Sequence, residues 1–140
     1  MSAGPVFGWA LSCFNEVNDE PPRTLAAKLE LVRAAGCAGY QVDVPLDWPL
    51  ADLRATADAA RLRCLVVNDW RQDLDRFPGN LATALALGAR WYNHHLPTAL
   101  WGDPATAAET VRTLRQRCVD VGIGYCVETH RGTLTQSLER

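Results

Sequence analysis

The sequence has no C-x-x-C pair, no G-x-G-x-x-G or Walker pattern, no run of about 18 apolar residues and no basic stripe. Each absence removes a class of protein. The five cysteines, Cys13, Cys37, Cys64, Cys118 and Cys126, are odd in number and widely spaced, so buried, reduced thiols are expected rather than a zinc knuckle or a disulfide framework. The longest apolar stretch, Leu81 to Ala89, holds a threonine and a glycine and is about half a bilayer span, so no membrane partner is expected. No basic residue precedes the apolar N-terminal stretch, which carries Pro5, and a cytoplasmic location follows as the expectation. Fourteen Lys and Arg against sixteen Asp and Glu leave a net charge of −2. A surface that grasps a nucleic-acid backbone therefore has no electrostatic support, and a small molecule is the expected partner.

What is present is 140 residues of ordinary globular composition, read as one domain over residues 1–140. Short apolar strands are expected at Val6 to Leu11, Gly39 to Val44, Leu62 to Asn68, Ala89 to Leu96 and Gly122 to Glu128. Helix-period segments lie between them. The first is expected to run from Pro21-Pro22 to Gly36, with Leu25, Leu29 and Val32 on one face. Others are expected over Leu50 to Arg61, Gly79 to Leu87, and from an Asp103 cap with Pro104 at the first position to Val121. The T-x-x-Q spacing of Thr133 to Gln136 reads as the start of a fifth.

Strand and helix in alternation mean right-handed crossovers and a parallel sheet, the α/β class. Two architectures fit, a (β/α)8 TIM-type barrel with about five of its eight units present and a five-stranded flavodoxin-like sheet. Strand starts lie 23 to 33 residues apart, so eight units need about 230 residues, within the barrel range. The flavodoxin alternative lacks its phosphate loop, because Ser12 to Glu16 follow the first strand.

In either architecture chemistry gathers at the carboxyl ends of the strands. Those ends carry Gln41 and Asp43, Asn68 to Trp70, Asn93 to His95, and Glu128 to Gly132. Glu128 closes an apolar strand, where a carboxylate must be hydrated, paired or metal-bound to be tolerated. His94 and His95 face opposite ways along their strand, and alternation alone leaves open which one faces inward. Asp69 reads as a helix cap or loop partner, and Trp9, Trp48, Trp70, Trp91 and Trp101 as core or rim packing.

The run Glu128-Thr129-His130-Arg131-Gly132 resembles the strand-five end of the sugar phosphate isomerase/epimerase family, the xylose isomerase-like TIM barrels. Ala35 to Gln41 and Trp91 to His95 are similar, more weakly, to that family's entries to strands two and four, with Gln41 where relatives often have Glu. The resemblance implies proton transfer next to a carbonyl in a sugar or sugar phosphate, assisted by a divalent metal, Mn2+, Mg2+ or Zn2+. Glu128 would be metal ligand and catalytic base, His130 a second catalytic residue, and Arg131, Asn93, His95 and Asp43 substrate-binding residues. The other usual ligands come from strands six to eight, beyond the five units read here, so the metal is expected only in a completed barrel. A non-catalytic half-barrel covered by another copy or by a complementing C-terminal segment is the alternative. An AP-endonuclease-like metal hydrolase is a further one, opposed by the net charge.

Overall fold

A computed structural model describes residues 7–11 and 23–129. Five strands, β1 (Gly8–Ala10), β2 (Gly39–Val44), β3 (Arg63–Asp69), β4 (Trp91–His94) and β5 (Gly124–Val127), form one sheet in the order β1-β2-β3-β4-β5. Every neighbouring pair is parallel. Strictly sequential order is that of a barrel wall, whereas a flavodoxin-like sheet would place β2 outside β1. The flavodoxin alternative therefore falls, and the α/β architecture is that of a partial barrel.

Four helices connect the strands: α1 (Leu25–Ala34), α2 (Leu50–Ala59), α3 (Phe77–Ala86) and α4 (Pro104–Asp120). Helix α1 starts later than its prolines suggest, because the Thr24 hydroxyl accepts from Ala27 N (3.2 Å) and so caps the first turn. Its end is at Gly36, whose φ of 76° is costly for a side-chain-bearing residue. Helix α4 is capped as expected, the Asp103 carboxylate accepting from Ala105 N and Thr106 N with Pro104 in the first turn. Helix α3 begins at Phe77, two residues before Gly79, with Pro78 in its first turn. The expected helix at Thr133 to Gln136 lies outside the described residues.

The core fills the space between sheet and helices. Tyr40, Val42 and Val44 of β2, Cys64 and Val67 of β3 and Tyr92 of β4 meet Leu29 and Val32 of α1, Leu53 of α2, Phe77 of α3 and Cys118 of α4. Cys64 and Cys118 are buried and Cys37 and Cys126 half-buried, all four unpaired, and Cys13 lies outside the described residues. Burial pushes the Cys64 thiol up to about 12 and Cys118 up to about 11, which keeps both protonated.

The opposite face of the sheet is the inner wall. Between β2 and β3 the register slips at Leu65, since Tyr40 pairs with Cys64 but Gln41 with Val66. The Leu65 side chain covers Gly8 and Gly39, and the Trp91 ring covers Gly124, so large side chains fill over small ones at the bottom of the wall. A cavity of about 230 Å³ remains there, lined among others by Trp9, Gln41, Val66 and Trp91. Trp9 and Trp91 stay 45% and 40% exposed, and β1 and β5 have free outer edges among the described residues. Elsewhere Trp48 lies under the buried Lys28 ammonium, 5.0 Å from ring centre, and Arg71 stacks over Trp70 at 4.3 Å. No helix among the described residues is long and apolar enough to cross a membrane.

Candidate functional site

Parallel pairing without further slips puts Asp43 opposite Asn68 and Asn68 opposite Asn93, so three polar side chains stand in one row at the carboxyl ends of β2, β3 and β4. The Asn68 Nδ2 donates to Asp43 Oδ1 (2.9 Å), and the Asn93 Nδ2 donates to Asn68 Oδ1 (3.0 Å). The same Asn93 nitrogen also donates to Glu128 Oε2, one step past β5. His95 closes the row, its Nε2 being 3.0 Å from that Glu128 oxygen.

Two backbone hydrogen bonds hold this end of the row: His95 N donates to Asp69 O (2.9 Å) and Glu128 N donates to His94 O (3.1 Å). Both rim residues thus extend the parallel ladder beyond the strands. Alternation along β4 sends Asn93 and His95 inward, while Tyr92 and His94 face α3, where Phe77 packs 5.3 Å from the Tyr92 ring and 5.9 Å from the His94 ring. The structure therefore answers the question that alternation left open: His95 is at the rim and His94 is core.

Asp69 corrects its expected role. The cap of the short 3₁₀ turn Leu74–Arg76 is Asp73, and Asp69 is instead fully buried behind the sheet. It accepts from the Tyr92 hydroxyl (2.5 Å) and Asn80 Nδ2 (2.9 Å). Burial, and then the Asp69 carboxylate, push the Tyr92 phenol well above its usual range, so Tyr92 remains a donor. His94 Nδ1 lies 3.1 Å from the Tyr125 hydroxyl, and its Nε2 is 4.0 Å from Asp69 Oδ2.

Burial lowers the His94 pKa below 6.5, against the attraction of Asp69. The unfolded chain takes up a proton as pH falls through 6.5 while the folded chain does not, so stability is fully present above that pH and lost below it. Urea unfolding at about pH 7.5 and about pH 5.5 should show lower stability at the acid end, and a smaller loss in His94→Gln. Equal pH dependence in the two proteins would contradict the buried, neutral assignment.

Of the expected site residues, Asp43, Asn93, His95 and Glu128 come together at one rim, while His130 and Arg131 lie outside the described residues. Asn68, one of the polar strand ends but without an expected role, joins Asp43 to Asn93; its place opposite Asp43 follows only once the Leu65 slip is known. Gln41 sits one inward step below Asp43 and lines the lower cavity. Glu128 and His95 are an oxygen and a nitrogen donor of the kind that binds zinc or manganese. No group of three or more His, Cys, Asp or Glu that could hold a cation occurs among the described residues, so these do not by themselves make a metal site.

No protein-family model and no curated protein matches the chain. Solved structures do. A family 2 AP endonuclease from Brucella melitensis superposes with a TM-score of 0.66 at 19% identity, over 94% of this chain and 59% of that one. A sugar phosphate isomerase/epimerase from Parabacteroides distasonis gives 0.65 at 13% identity, over 92% and 52%. A xylose isomerase-like TIM barrel protein from Mycobacterium smegmatis, solved in complex with magnesium, gives 0.62 at 18% identity, over 95% and 57%. The chain thus spans little more than half the length of these structures. Its five sequential parallel strands have the fold of part of a TIM barrel, as these structures do.

Proposed function

We propose that the chain is the N-terminal part of an isomerase or epimerase that moves a proton at a carbon next to the carbonyl of a sugar or sugar phosphate. The observation that carries this reading is the Glu128 carboxylate at the barrel mouth, contacted at one oxygen by Asn93 Nδ2 and by His95 Nε2 at 3.0 Å. A carboxylate held by the Asn93 hydrogen bond and flanked by the His95 ring is oriented toward a bound substrate, which is what a proton-transfer base needs. Glu128 is the proposed base, His95 and Asn93 hold it and meet substrate oxygens, and His130 and Arg131 are assigned to orient hydroxyl or phosphate groups. A divalent cation belongs to the completed barrel, where Glu128 and His95 would supply two of its donors.

The likeness to an AP endonuclease would bring in DNA, but a net charge of −2 and a rim with carboxylates at both ends favour a small molecule. To test the reading, the full chain is combined with the three C-terminal units of the Mycobacterium smegmatis barrel in D2O with a ketose. Deuterium entering the carbon next to the carbonyl, followed by NMR, supports it. Assembly of the two parts without exchange for any ketose or ketose phosphate opposes it.

The open inner wall, with Trp91 partly exposed and free parallel edges at β1 and β5 among the described residues, favours a second reading in which the chain is a non-catalytic half-barrel needing cover. A segment of three units suits that cover better than a second copy, because two sets of five strands exceed the eight of a closed barrel.

A further inference from the structure

We infer that the row Asp43, Asn68, Asn93 is a subsite for an uncharged vicinal-hydroxyl end of the substrate and rejects a phosphate there. The inference rests on the sugar reading above and narrows its substrate class at this part of the rim. The orientation of each carboxamide follows from its neighbours, since a carboxylate only accepts and must face an NH2 group. Asn93 uses both N–H groups, one on Asn68 Oδ1 and one on Glu128, which leaves its own Oδ1 as an acceptor. Asn68 uses its oxygen and one N–H, which leaves the second N–H as a donor. Asp43 uses Oδ1 and keeps Oδ2 as an acceptor.

Along the row the unused groups thus read acceptor, donor, acceptor on three adjacent strands. A hydroxyl both donates and accepts, so neighbouring hydroxyls of a sugar satisfy all three positions. A phosphate has mostly acceptor oxygens and negative charge, and would meet Asp43 at one end and Glu128 at the other. The cation of the loop after β3, Arg71, is stacked over Trp70 instead. Among the described residues the side chains of Asp43, Asn68 and Asn93 hydrogen-bond only one another and Glu128. Their row is also half-buried, with Asn68 only 9% exposed, which favours a ligand able to replace water at each position.

The test follows the side-chain NH2 signals of Asn68 and Asn93 by NMR in the full chain, during titration with D-fructose and separately with inorganic phosphate. D-fructose should shift both signals saturably, and phosphate should leave them in place. Asn68→Leu should weaken the fructose response at Asn93 by about tenfold. Phosphate moving these signals, or fructose leaving them unmoved, overturns the proposal. The outcome is separate from that of the proposed reaction: fructose binding to the row without solvent exchange in the completed barrel sinks the isomerase reading alone. Exchange without any fructose response at the row sinks only this subsite.

Discussion

Glu128→Gln should lower solvent-proton exchange into substrate in the completed barrel by about 10² to 10⁴-fold, the range for removing a positioned acid or base. The amide oxygen of Gln can still accept from Asn93 and lie beside His95, so the row keeps its shape while the group loses its basicity. Binding of substrate, measured by calorimetry, should change far less than the rate, because the lost interaction acts mainly in the transition state. Unchanged exchange would remove Glu128 from the chemistry. A parallel loss of binding and rate would assign it to substrate holding instead.

Phe77→Ala should cost about 3 to 5 kcal/mol, a large part of the about 5 to 15 kcal/mol that holds a domain together. Phe77 is 1% exposed at the first turn of α3, edge-on to Tyr92 and stacked on His94. Removing its ring opens a cavity behind β4 where the polar atoms Asp69 Oδ1 and His94 Nε2 already have no hydrogen-bond partner among the described residues. The loss should be read from the urea midpoint, and a change below about 1 kcal/mol would show that α3 does not hold β4 in this way. The rim above depends on the same strand, since β4 positions Asn93 and its backbone leads directly to His95.

Much of this arrangement was legible beforehand, for reasons that differ between elements. The range Gly39 to Val44 for β2 matches because Gly39 opens the strand, Pro45 closes it, and nearly every residue between is buried or half-buried. The expected strand at Ala89 to Leu96 is shorter, Trp91–His94, because Ala89 N still bonds back to Ala84 O at the end of α3 and beyond His94 only His95 N adds a further ladder bond, to Asp69 O. Helix α1 begins at Thr24's cap, a local hydrogen bond that the preceding prolines obscured. The rim candidates Asp43, Asn93, His95 and Glu128 were readable because polar residues ending apolar strands share one edge of any parallel sheet.

What escaped the sequence is tertiary. His94 and His95 are chemically alike, and only the register of β4 against β3 and β5 decides which one turns toward α3. Asp69 looked like a cap because carboxylates near helix starts usually are caps. Its real partners, Tyr92 and Asn80, come from two other elements that meet it only in the folded chain. Asn68 gains its place through the Leu65 slip, which shifts the second half of β3 by one residue against β2.

On the proposed reading the described residues form one side of a barrel mouth whose cation site needs more donors than they supply. Mn2+ calorimetry on the full chain, first alone and then with the three complementing strand-helix units, tests it most directly. No tight binding by the chain alone is expected, and binding once the units are added. Tight binding by the chain alone would contradict an incomplete cation site, because the chain would then build a complete one of its own.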